Sequence, residues 1–180
     1  MGNYTNRGLE GIEVLLYLIS LKINFPKKIQ LLRGNHESRQ MTEYFTFRKE
    51  CLEKYDLEVY ENIMELFDTL PLVCIVNDLF FCVHGGVSPE LRDLADINTK
   101  VNRFQEPHCN GLLCDLLWSD PFKDHFQAHS KRFIFNEDRK CSYYYGLDPV
   151  QIFLRKEGLL SMIRSNQCEI IGFKMHLWNG

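Results

Sequence analysis

Apolar residues recur along the first half of the chain at two different periods, and the change from one to the other predicts its elements. Leu9, Ile12, Leu15, Leu16 and Ile19 fall three or four residues apart, so residues 9–22 are expected to form a helix with one apolar face. Pro26 stops that helix, and the apolar run behind it reads as a buried strand over 28–32. Helices are expected over 38–55 and 57–70. The second carries Val59, Ile63, Leu66, Phe67 and Leu70 on a stripe that belongs to the core rather than to a docking face. From there the period becomes that of strands. Residues 72–77 and 79–84 are rich in β-branched and aromatic side chains and are expected to form a hairpin about a tight Asn77-Asp78 turn.

Beyond His84 the signals are more local. Ser88-Pro89-Glu90 and Asp96-Ile97 look like capped helix starts, and 103–111 is rich in turn residues and reads as a loop. Pro149 sits in the first turn of a helix over 148–156, and strands are expected over 159–163 and 170–176. Trp118 reads as a packing anchor, and His125 and His129 as exposed loop residues. No repeat, linker or low-complexity stretch divides the chain, so 1–180 is expected to be one domain of α/β class.

Composition narrows the partners. With 45% hydrophobic and 25% charged residues, 180 residues suffice for one sizeable core. Twenty-one basic residues against 24 acidic ones give a net charge of -3, so no basic field invites nucleic acid or an anionic membrane. The implied partners are proteins. Seven cysteines, an odd number without framework spacing, suggest reduced thiols and an intracellular, cytoplasmic setting. His108, Cys109 and Cys114 match no structural zinc spacing. The apolar run over 12–21 falls short of the roughly 20 residues that a bilayer demands, and no signal peptide is evident at Met1.

The candidate chemistry lies where two apolar runs end. Residues 29–32 lead into Asn35 and His36, and residues 80–83 into His84. Open α/β sheets place ligands at the carboxyl ends of such strands. An amide oxygen and a neutral imidazole suit a divalent cation such as Mn, Fe or Zn, and Gly34, Gly85 and Gly86 allow close backbone approach. The pair of clusters points at phosphate chemistry.

These clusters sit inside longer stretches, 31–37, 41–47, 60–71, 82–89, 115–121 and 139–145, whose sequence resembles the phosphoprotein phosphatases, and most of all their calcineurin branch. The resemblance implies a metallophosphoesterase-like central β-sandwich flanked by helices, incomplete here at both ends. It implies a serine/threonine phosphatase-like activity class in which two metal ions about 3.5–4 Å apart activate a bridging water. It also implies site residues. His36 matches the general acid and Asn6 its carboxylate partner; Arg7 and Arg139 match the arginines that hold the phosphoryl oxygens; Asn35, His84, Asn3 and Asn166 match metal-ligand positions. Departures fall on charge. Gly2-Asn3-Tyr4-Thr5-Asn6-Arg7-Gly8 stands where the family carries two aspartates, and Arg164-Ser165-Asn166-Gln167 where it carries a histidine and a glutamate.

Two readings follow. In the preferred one the protein is catalytically silent, with no metal or a weakly held one, and serves as a binding or structural subunit of a multi-subunit assembly that takes a phosphoprotein ligand. In the other it is an active metal-dependent phosphatase for phosphoserine and phosphothreonine whose missing ligands lie outside these residues. In either reading the absent strands are expected to leave apolar faces that need cover.

Overall fold

A computed structural model describes residues 1–123 and 133–175, so the readings for His125, His129 and residue 176 lie outside the described residues. Helix α1 (Gly11–Asn24) turns Ile12 and Leu15 inward. Its buried stripe is narrower than its apolar one, because Leu9 and Leu16 stay exposed. Three further helices follow: α2 (Arg39–Tyr44), α3 (Phe47–Lys54) and α4 (Leu57–Thr69). The single helix expected over 38–55 is therefore broken at Phe45. Tertiary contacts decide this: the Phe45 ring stacks on His36 with centroids 5.0 Å apart, and the Phe47 amide that starts α3 donates to Asn6 Oδ1 at 3.3 Å. Helix α4 begins at Asp56, whose carboxylate accepts from Val59 N at 2.9 Å, and buries Tyr60, Met64 and Phe67. Its stripe is thus set one residue round from the expected Val59 and Ile63. These side chains, with Ile12, Leu15, Phe47 and Cys51, form a first core.

The second core lies under strands. β1 (Val73–Val76) and β2 (Phe80–Val83) form the expected antiparallel hairpin; Asn77 and Asp78 take φ 53° and 54°, and Leu79 N closes the turn on Val76 O at 3.1 Å. Two successive left-handed residues define the turn whose twist matches paired strands. Helices α5 (Ala95–Lys100) and α6 (Leu112–Trp118), short strands β3 (Asp120–Pro121), β4 (Phe133–Phe135) and β5 (Tyr143–Tyr145), helix α7 (Leu147–Lys156) and strand β6 (Ser161–Arg164) complete the described elements. β6 pairs parallel with β2, giving the order β1-β2-β6; β3, β5 and β4 form a second sheet. Phe81, Val83, Leu116, Leu117, Tyr145 and Phe153 are buried together beneath them.

Three expectations fail for local reasons. Residues 28–32 form no strand. Leu31 and Leu32 are buried, but with no adjacent ladder among the described residues Arg33 N goes to Pro71 O at 2.9 Å and Leu32 O accepts the Tyr4 hydroxyl at 2.9 Å. Ser88 starts a turn rather than a helix, since its hydroxyl accepts from Glu90 N at 3.1 Å while donating to Asp115 at 2.6 Å. The described part of 170–176 turns instead of extending, with Gly172 at φ 90° and Ile170 fully exposed. Among the described residues no helix is long and apolar enough to cross a membrane.

Candidate functional site

The site is assembled around a buried carboxylate. Glu37, with no exposed surface, accepts from Asn3 N at 2.7 Å, Tyr4 N at 2.8 Å and Gly34 N at 2.9 Å, so it fastens the first loop of the chain to the 33–37 loop. Burial pushes its carboxyl pKa up, and the three N–H groups pull against that. The approach is too close for a side chain at residue 34: a Cβ on Gly34 would lie 2.6 Å from Asn3 N. Beneath it the fully buried Arg33 donates to Asp68 at 2.8 Å, to Arg103 O at 2.8 Å and to Glu37 O at 2.9 Å. Asp68 also takes Arg39 at 2.9 Å.

One side of the resulting cleft gathers the residues at metal-ligand positions. Asn35 Oδ1 lies 3.0 Å from His84 Nε2, while His84 Nδ1 lies 2.6 Å from Met1 O. Burial, the largest influence, brings the His84 pKa down to about 4, so at neutral pH its ring carries one proton. The ring has one proton for two facing oxygens, and the shorter contact, to Met1 O, places it on Nδ1, which leaves the Nε2 lone pair beside Asn35 Oδ1 with no hydrogen bond between them. Asn3 Oδ1 accepts from His36 N at 3.2 Å, and Asn166, at φ 68°, directs its amide nitrogen to Asp120 Oδ1 at 3.4 Å.

This donor set does not fit a two-metal centre. Its four members are neutral, and none can bridge two dications as a carboxylate does. Among the described residues no group of three or more His, Cys, Asp or Glu side chains could hold a metal ion.

The other side is built to donate. Asn6 is held by Phe47 N on its Oδ1, so its Nδ2 faces His36, reaching Nδ1 at 3.1 Å and the His36 carbonyl at 3.3 Å. An amide N–H in that place makes Nδ1 the acceptor and puts the ring proton on Nε2. Burial first, then the charges of Arg7 and Arg139, bring the His36 pKa down to about 4. Arg7 is exposed. Arg139 is anchored, with Nε on Asp120 at 2.9 Å, Nη2 on Asn166 O at 3.1 Å and its guanidinium 5.9 Å from the Trp118 ring centroid. Trp118 packs against the second core, as an anchor should. The buried Asp120 takes Arg164 as well, at 2.8 Å, and Arg164 reaches back to Gly85 O. Asp120 therefore ties Arg139 to the loop that carries His84.

A cleft of about 730 Å³ opens between the two sides, lined by Asn3, Arg7, Asn35, His36, Arg139 and Asn166 among others. Six of the eight candidate residues thus face one space, and Asn6 and His84 stand behind it, each touching one that does. Glu37, Asp120 and Arg164 were not singled out from the sequence. Each lies in or beside a motif stretch, but their partners are 16 to 46 residues away for Asp120 and 33 or 34 for the first loop.

Residues 1–165 match the family model of the calcineurin-like phosphoesterases. The chain belongs to this family. It is 42% identical over 184 residues to serine/threonine-protein phosphatase 2B catalytic subunit A1 of Saccharomyces cerevisiae, covering 98% of this chain and 33% of that protein. With the PP2A-like serine/threonine-protein phosphatase PPG1 of the same yeast it shares 38% identity over 98% of this chain and 50% of the relative. A solved serine/threonine phosphatase structure from Saccharomyces cerevisiae, described as similar to human phosphatase PP5, superposes with a TM-score of 0.83 at 30% identity, over 94% of this chain and 51% of that one. The chain is a serine/threonine phosphatase-like domain with the metallophosphoesterase fold, and it spans a third to a half of the length of these relatives.

Proposed function

We propose that this calcineurin-like phosphoesterase domain is catalytically silent and holds phosphorylated protein segments as a subunit of a cytoplasmic multi-protein assembly, folding as a single domain within it. The observation that carries the reading is the polarity of the Asn6–His36 contact. A general acid must give up a proton at neutral pH. His36 has a pKa near 4 and an amide donor on Nδ1, so at neutral pH it is a neutral ring whose one N–H is not acidic, with no carboxylate to stabilise its charged form. The neutral donors of Asn3, Asn35, His84 and Asn166 support the same reading on the metal side. Arg7 and Arg139 supply the grip on phosphate, and a net charge of -3 favours protein partners over nucleic acid.

The reading of an active two-metal phosphatase draws on one contact, the Nε2 lone pair of His84 turned toward Asn35 Oδ1, which is the beginning of a cation site. Elemental mass spectrometry on the protein in its native assembly, paired with hydrolysis of a phosphoserine peptide in added manganese, separates the two. Metal well below one ion per chain with no turnover is expected. About two ions per chain with turnover would overturn the silent reading.

A further inference from the structure

The β1–β2 hairpin brings two thiols face to face. Cys74 and Cys82 are direct partners in its antiparallel register, between the pairs Val73–Val83 and Ile75–Phe81. Directly opposed residues point to the same side of a sheet. Val73, Ile75, Phe81 and Val83 pack on the second core, so the two cysteines stand on the other side, with Val76 and Ile163. That side is open, Val76 being 41% and Ile163 45% exposed. Cys74 is half-buried and Cys82 is buried, and both thiols are free. Opposed antiparallel residues have Cα atoms about 4.5 or 5.5 Å apart, and both separations fall within the roughly 4.4–6.8 Å that a disulfide spans.

We infer that Cys74 and Cys82 are an oxidation site, a dithiol that hydrogen peroxide closes into a cross-strand disulfide without rearranging the hairpin. Cys74, the more accessible thiol, reacts first. Its sulfur, as thiolate, attacks one peroxide oxygen, the O–O bond breaks, and the departing hydroxide takes up the Cys74 proton as water. The Cys82 sulfur then attacks the sulfenic sulfur of Cys74. The S–S bond forms, the S–O bond breaks, and a second water leaves with the Cys82 proton. Two electrons pass from the thiols to the peroxide. The pair stands outside the cleft, but β2 runs from Cys82 through Val83 to His84, whose Nε2 lies 3.0 Å from Asn35 Oδ1. Closing the bridge therefore stiffens the strand that delivers His84. A bridge reachable at Cys74 is of the labile kind that small thiols reopen, which fits a chain whose other cysteines show no framework spacing.

Peptide mapping of the full chain tests it. The reduced protein is treated with hydrogen peroxide, its remaining thiols are alkylated, and the chain is cleaved at Asp78, between the two cysteines. The fragments carrying Cys74 and Cys82 should stay joined, lighter by a pair of hydrogens, and separate on adding dithiothreitol. The oxidised chain should melt roughly 5 °C above the reduced one, because the bridge constrains the unfolded chain, and amide exchange over 73–83 should slow. Cys74→Ser should abolish both changes, whereas Cys109→Ser, at an exposed cysteine outside the strands, should leave them intact. Single-thiol oxidation products without a bridge, or a bridge at other cysteines alone, would overturn the inference. A Cys74–Cys82 bridge that lowers the melting midpoint would overturn the fit of the disulfide to the hairpin. The wild-type map decides the first point even where a variant fails to fold.

Discussion

On one side of the cleft Asn3, Asn35, His84 and Asn166 turn their polar atoms to the protein, to His36 N, to one another, to Met1 O and to Asp120. On the opposite side Arg7, the Nη1 of Arg139 and the Nε2–H of His36 remain open to the cavity. The backbone that presents the two sides is the same, because Glu37 fastens both loops at once. The difference teaches that amides in place of the family's carboxylates at residues 3 and 6 keep a hydrogen-bonded framework while removing the negative charge that a dication needs. A carboxylate only accepts hydrogen bonds, and an amide also donates. At Asn6 that single property moves the His36 proton from one ring nitrogen to the other.

The harshest way to break the comparison is to remove what both sides share. Glu37→Ala leaves three backbone N–H groups buried without a partner, and the expected loss is about 3–5 kcal/mol in urea unfolding. A loss below about 1 kcal/mol would mean that the loops hold their geometry without it.

A smaller effect comes from protons. His36 and His84 have folded pKa values near 4 against an ordinary 6.5, so between those limits the unfolded chain binds more protons and stability falls as the solution is acidified. Each histidine contributes up to about 3 kcal/mol across that window. Asp115 opposes them. Burial raises its pKa to about 6, so its neutral form is favoured in the folded state and acidification from pH 6 toward 3.8 recovers stability. Glu37, whose carboxyl burial also raises, acts with Asp115, and the histidines supply the downward part of the slope in acid. His84→Gln should flatten it, as read from chemical unfolding at a series of pH values; an unchanged slope would mean that His84 is protonated in the folded state.

The finest probe touches one hydrogen bond. Asn6→Asp replaces the donor on His36 Nδ1 with an acceptor, and the ring should return its proton to Nδ1 and titrate above pH 4. Nitrogen-detected NMR of the imidazole reads both changes with little effect on stability. A ring that keeps its Nε2–H tautomer in the variant would show that the Phe47 and His36 backbone contacts, not the Asn6 side-chain type, set the proton.

Much of this was legible in the residues alone. The β1–β2 hairpin follows from β-branched and aromatic runs about Asn77-Asp78, and α7 from Pro149 at its first turn. The candidate residues come to one cleft because the motif stretches that carry them are long. Helices misjudged by the sequence failed where distant groups intervened: Asn6 and His36 break the helix at Phe45, and nothing near residue 45 announces it. Expected strands failed where the pairing partner was wanting, as at 28–32, because a strand is defined by a neighbour and an apolar run supplies only half of the pair.

The sequence by itself determined the family likeness, the residue types gathered in the cleft and the amides at residues 3, 6 and 166, since these are matters of identity and order. Only the tertiary structure decided what those amides do. Whether Asn6 donates or accepts depends on Phe47 N holding its oxygen, and whether Arg139 keeps a free nitrogen depends on Asp120 and Asn166 taking the others. Hydrogen-bond direction is set by the partners that remain once every neighbouring group is satisfied, and those partners meet only when the chain has folded.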